Sequence, residues 1–192
     1  MTGNYFGNAG QFLIETLFGL YILSFMLRFL FQWARADFYN PVSQFLVKVT
    51  NPLLVPVRRI IPGLLGLDMA AILVMFLLGF LKLSLIMLIK GGAILPATFA
   101  VYTIAELLQL AIYIFIFTLI VQAIMSWINP HSYNPVTALL YSLNAPLLRP
   151  ARRILPDLGG LDLSPLLVLI ILQLLLMLLV APLKDIALRL SM

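Results

Sequence analysis

The side chains of this chain that could do chemistry are few, and most stand in two clusters. Arg58-Arg59 and Arg152-Arg153 are adjacent arginines held between prolines, in Leu-Leu-x-Pro-x-Arg-Arg-Ile-x-Pro at 53–62 and again at 147–156. Asp68 and Asp162 follow each pair by nine or ten residues, close enough to meet one of its arginines. A guanidinium is a planar fork of donors that fits phosphate or carboxylate. The chemistry expected of these clusters is therefore anion binding and ion pairing. Neighbouring arginines point to different sides of any regular element. One of each pair is expected to pair internally, and the other to meet lipid headgroups or a partner's acidic segment. Arg149 adds a cation to the second cluster, where the first has Val55.

Bond-making chemistry has almost no material. Cysteine is absent, and the one histidine, His131, has Asp37 as its counterpart in the first cluster's surroundings. No general-base pair, zinc cluster or bis-histidine haem site can be assembled from these residues. The expectation is a protein that is not an enzyme and has no cofactor and no metal, with His131 structural or interfacial. Glu15 and Glu106 are the acidic residues inside apolar stretches. They read as groups solvated near an interface, with a cation path as the competing reading.

The elements around the clusters are duplicated. Residues 39–75 return without a gap as 133–169, a shift of 94 positions, with 19 identities in 37. The shared residues include four prolines, the Arg-Arg pair and Gly-Leu-Asp, which common hydrophobicity would not produce. Asn40-Pro41 and Asn134-Pro135 read as an N-cap followed by proline in the first helical position. Behind the caps, Val42, Phe45, Leu46 and Val49, and likewise Val136, Leu139, Leu140 and Leu143, recur at helical spacing. Each copy should thus hold a short amphipathic helix in the membrane interface. Pro52 and Pro146 are expected to stop these helices, because proline disfavours helical geometry in the residue before it. Pro56 and Pro62, and Pro150 and Pro156, should then fix a bent elbow. Asp68 and Asp162 are expected to cap the helices that come next.

Composition sets the surroundings. With 63% hydrophobic and 10% charged residues, the chain cannot cover a water-soluble globule, where about a quarter of residues are charged. Four stretches are long and apolar enough to cross a bilayer, about 11–33, 69–89, 101–128 and 163–181. They divide the chain into two units, 1–92 and 93–192. Each unit is helix, amphipathic helix with a Pro-Arg-Arg elbow, and helix, and the chain ends in an amphipathic tail with Lys184, Asp185 and Arg189. The first ten residues lack the basic start of a secretory signal and are expected to be retained. Small residues are sparse in the spans, so leucine and phenylalanine ridges should make the helix contacts.

The net charge of +5 reads as orientation and attraction to anionic lipid, with no direct role for nucleic acid. The two elbows and their flanks carry seven Lys and Arg. The ends and the middle link carry three, Lys90, Lys184 and Arg189. Both elbows should therefore be cytoplasmic and both termini on the opposite side, which makes the units parallel repeats.

The pattern of Trp, Tyr-Asn-Pro, Pro-Leu-Leu-x-Pro-x-Arg-Arg-Ile-x-Pro and Gly-Leu-Asp, present twice over nearly the whole chain, resembles the YggT family, also called YlmG. The resemblance implies an integral protein of the bacterial cytoplasmic membrane, linked to osmotic or ion-stress tolerance and to cell-division gene neighbourhoods. Plastid relatives look like factors for haem attachment to a cytochrome and for nucleoid distribution. A scaffold or assembly factor organised around the elbows, with phospholipids and other membrane proteins as partners, explains the repeat best; ion or solute transport, favoured by the family's osmotic associations, is the alternative. The second copy keeps the pattern better: Val55 and Ala71 stand in the first where the second has Arg149 and Pro165. If the headgroup or partner site is asymmetric, the second elbow is the place to expect it.

Overall fold

A computed structural model describes residues 5–64, 66–128, 134–154 and 162–190, with the side chains of 127 and 128 excepted. Pro156 and His131 lie outside the described residues. The order is α1 (Tyr5–Trp33), α2 (Pro41–Arg58), α3 (Met69–Ile89), α4 (Pro96–Ile128), α5 (Pro135–Ile154), α6 (Ser164–Leu175), a π-helical turn (Leu176–Val180) and α7 (Ala181–Arg189). No strand occurs among the described residues.

Four helices are long and apolar enough to cross a membrane: α1, α3, α4 and the continuous run Ser164–Arg189. The second starts at Met69 as read from the sequence, because Asp68 accepts a hydrogen bond from Ala71 N at 3.2 Å and caps it. The other three are longer than expected. Helix α1 begins at Tyr5, and α4 begins at Pro96, whose fixed φ suits a first helical position. The expected tail is instead the end of the fourth span. Pro182 cannot donate to the carbonyl four residues back and its ring crowds that carbonyl. The preceding turn widens to π geometry, with Ala181 N bonded to Leu176 O, and the helix runs on to Arg189.

The amphipathic helices are also longer than the prolines suggested. Helix α2 passes through Pro52 and Pro56, and α5 through Pro146 and Pro150. In each helix the two prolines are four residues apart and share one face. In α2 that face, with Lys48, is exposed. The carbonyls of Lys48 and Pro52, left without an i+4 donor, thus open outward and not into the core. The expected apolar stripe is also rotated. Helix α2 buries Ser43, Leu46, Thr50 and Leu54, and α5 buries Thr137, Leu139, Leu143, Asn144, Leu148 and Ala151. Phe45, Leu53, Val55 and Val136 are exposed.

Both elbows lie at the same end of the bundle, where Asn40 Nδ2 donates to Pro135 O at 2.6 Å. The repeats are parallel. The core gathers around Phe25, Leu54, Ala70, Ala71, Leu119, Leu143 and Leu148. One contact between the halves depends on a small residue after all. A Cβ on Gly79 of α3 would lie 2.6 Å from Thr103 Cγ2 of α4, so glycine permits this approach.

Candidate site: two arginine elbows and the buried groups beneath them

The amphipathic helices start where their caps dictate. Asn40 Oδ1 accepts from Val42 N at 3.0 Å, and Asn134 Oδ1 from Thr137 N at 2.9 Å. Each helix then delivers its arginine pair to the start of the next span.

The first arginine of each pair meets the aspartate ten residues on. Arg58 Nε donates to Asp68 Oδ2 at 3.1 Å, and its Nη2 also bonds that oxygen. Arg152 Nε donates to Asp162 Oδ2 at 2.9 Å, with Nη2 at 2.8 Å. This pairing ties the end of each elbow helix to the start of the following span. The settings differ: Asp68 is 5% exposed and Asp162 46%. Asp162 is not the cap itself. Helix α6 starts two residues later, and Asp162 Oδ1 accepts from Ser164 N at 3.0 Å. Burial alone raises the Asp162 carboxyl, but bonds from Ser164 and the Arg152 guanidinium outweigh it and hold it below the ordinary aspartate value.

The second arginines, Arg59 and Arg153, are exposed and have no partner among the described residues, and the same is true of Arg149. Five arginines named by the sequence are therefore split into two internal struts and three outward cations. Pro41, Pro52, Pro56 and Pro62, with Pro135, Pro146 and Pro150, shape the same two elbows.

The residues that sequence reasoning missed lie beneath. Arg28 is 9% exposed. Its Nη1 donates to Thr50 Oγ1 at 2.5 Å, Asn51 Oδ1 at 2.9 Å and Val47 O at 3.4 Å, joining α1 to α2. At the equivalent place in the second repeat, Asn144 Nδ2 donates to Gln122 Oε1 at 2.8 Å and Thr118 Oγ1 to Asn144 Oδ1 at 3.0 Å. The shift of 94 pairs Arg28 with Gln122, Thr50 with Asn144 and Ser24 with Thr118. The only signal of this was a polar residue at matching depth in both copies.

A cavity of about 670 Å³ lies at the first elbow, lined by Arg28, Gln32, Arg35, Ser43, Arg58 and Asp68 among others. Deeper in the spans, Lys82 of α3 pairs with Glu106 of α4 at 2.7 Å, with side chains 15% and 30% exposed. Glu106 is therefore part of an ion pair between the repeats, whereas Glu15 is exposed and bonded to Gln11. Nearby, Lys184 bonds Gln109 and stands 5.5 Å from the Tyr102 ring centre. No group of three or more His, Cys, Asp or Glu able to hold a metal occurs among the described residues.

The family model described as CCB3/YggT matches twice, at residues 7–89 and 101–183, offset by the same 94 positions as the repeat. An uncharacterized protein of Pseudomonas aeruginosa is 42% identical over 174 residues, covering 90% of this chain and 88% of its own. The Escherichia coli K12 protein named uncharacterized protein YggT is 42% identical over 165 residues, covering 86% of each. An uncharacterized Haemophilus influenzae protein is 38% identical over 159 residues, with 83% and 84% covered. No solved structure matches.

Proposed function

The chain belongs to the CCB3/YggT family, and from that premise we propose that it is a non-catalytic scaffold or assembly factor for membrane machinery in envelope or osmotic-stress physiology. It sits in a bacterial cytoplasmic (inner) membrane with both elbows cytoplasmic and both termini on the other side. Its partners are membrane phospholipids and other membrane proteins, with no direct contact to nucleic acid and no cofactor.

One observation carries this reading. Each elbow spends its first arginine on a strut to Asp68 or Asp162, and so holds Arg59, or Arg149 and Arg153, outward on a rigid, proline-shaped helix end. A fixed array of outward guanidinium groups suits carboxylate or phosphate on a partner. Crosslinking in native membranes from a photoreactive residue at position 149 tests it. One dominant captured protein is the expected outcome, with capture lost when Arg153 is also replaced by glutamate. Recovery of phospholipid alone would overturn the protein-scaffold reading.

Ion or solute transport is the second reading, favoured by the Lys82–Glu106 pair inside the spans and the Gln109–Lys184 contact beside it. Reconstituted protein would then move potassium or sodium across liposomes, and Glu106→Gln would abolish the flux.

A further inference from the structure

The cavity at the first elbow has a composition unlike that of its outward face. Three guanidinium-bearing residues line it, Arg28, Arg35 and Arg58, against one carboxylate, Asp68, which is engaged by Arg58. The remainder is a net charge near +2. Asp37, the next nearest carboxylate in sequence, does not line the cavity; it accepts from Tyr39 N at 2.9 Å. The two uncompensated cations differ in how they are held.

Arg28 is buried and anchored by one end. All three of its protein acceptors are reached through Nη1, while Nε and Nη2 have no acceptor among the described residues. These N–H groups are not among the buried atoms without a partner; the residue lines the cavity, so they are available there to an acceptor. Arg35 makes no side-chain hydrogen bond among the described residues, yet its backbone sits at φ 53. It occupies the left-handed position that closes α1, with Ala36 N bonded to Phe31 O at 2.9 Å and Arg35 N to Gln32 O at 3.1 Å. Glycine or asparagine is the usual residue there, because a Cβ is crowded in this conformation. An arginine kept in a strained position, with its side chain on a cavity, points to a role for that side chain.

We propose that this cavity binds a phosphate group carrying close to two negative charges, with Arg28 and Arg35 as its clamp and an anionic lipid headgroup as its favoured source. Arginine meets phosphate through paired, charge-assisted bonds, which is what the free Nε and Nη2 of Arg28 can supply. Its size lies within the range of small-molecule sites. Phe31, Phe38 and Leu46 share the lining, so a ligand with an apolar part next to its charge fits better than a fully hydrated ion. The second repeat has Gln122 and Asn129 in place of Arg28 and Arg35, so the site belongs to one copy only. The inference stands apart from the scaffold reading, which rests on the outward arginines.

Native mass spectrometry of the delipidated full chain in detergent tests it, with phosphatidic acid, phosphatidylcholine and inorganic pyrophosphate as probes. Phosphatidic acid should be retained at least about tenfold more strongly than phosphatidylcholine, the scale expected from a charge-assisted pair. Arg35→Gln should lose that preference, and because the Arg35 side chain bonds nothing among the described residues, its melting should match the unaltered chain. Arg28→Gln, which places the second copy's residue in the first, should lose it as well. Displacement of phosphatidic acid by pyrophosphate would support the phosphate site with a soluble ester as its ligand. Equal retention of the two lipids without pyrophosphate binding, or a preference that survives both substitutions, would overturn it.

Discussion

The two elbows share backbone, caps and the arginine–aspartate strut, but differ in what lies under them. The first places a buried guanidinium, Arg28, among Thr50, Asn51 and Val47, while the second closes the same gap with the neutral trio Gln122, Asn144 and Thr118. Its strut aspartate is likewise buried in the first copy and half exposed in the second. Helix placement and inter-helix bonding therefore do not need the charge, since the second copy manages without it. Arg28 joins α1 to α2 as the neutral trio joins α4 to α5, and in addition it places a charge on the cavity of the first elbow.

The largest expected effect comes from forcing the charge into the neutral copy. Gln122→Arg would bury a guanidinium where the acceptor is one amide oxygen, and should cost about 3 kcal/mol or more in an SDS or urea unfolding titration. Equal stability to the unaltered chain would show that the charged and the neutral groups are interchangeable at this depth. Removing the struts sharpens the comparison next. Asp68→Ala leaves Arg58 without its carboxylate and α3 without its cap, a loss of about 2 kcal/mol. Asp162→Ala, in the exposed pair, should stay under about 1 kcal/mol by the same titration.

The smallest effect is one of pH. The Asp162 carboxyl is held below its ordinary value in the folded chain, so the unfolded chain binds its proton first as pH falls. The stability it contributes is present above about pH 4 and is lost as pH drops through the lower folded value. For an exposed pair this amounts to a fraction of a kcal/mol. Comparing melting at neutral pH and below pH 3 for the unaltered chain and for Asp162→Asn should show a difference at neutral pH that closes in acid. A gap that persists at low pH would mean that the aspartate acts through shape and not charge.

Much of this was legible along the chain because it is local. Asn40 and Asp68 announce the helices they cap, the Arg58-to-Asp68 spacing returns as Arg152-to-Asp162, and hydropathy marks the spans. Prolines misled because their spacing matters more than their presence. Pro52 and Pro56 fall on one exposed helical face, where the lost hydrogen bonds cost least, so α2 continues through both. The α6–α7 continuity turns on a π-helical turn that no composition signals. Lys82 and Glu106 belong to different repeats, and Arg28 and Thr50 to different helices, so only the packed bundle brings them together. The buried faces of α2 and α5 follow the same fact: Thr50 is buried beside Arg28 and Asn144 beside Gln122, each against a different helix.

The proline stripe has one more consequence, for the height at which the molecule rides. Carbonyls of Lys48 and Pro52 in α2, and of Ser142 and Pro146 in α5, have no helical donor four residues on, and such groups cannot enter dry hydrocarbon. Phe45, Leu53, Val55 and Val136 meanwhile draw the same helices downward. Opposed in this way, the two helices mark a waterline around the bundle. In a thinner or thicker bilayer that line would hold at the elbow end, and the adjustment would fall on the opposite ends of the four spans.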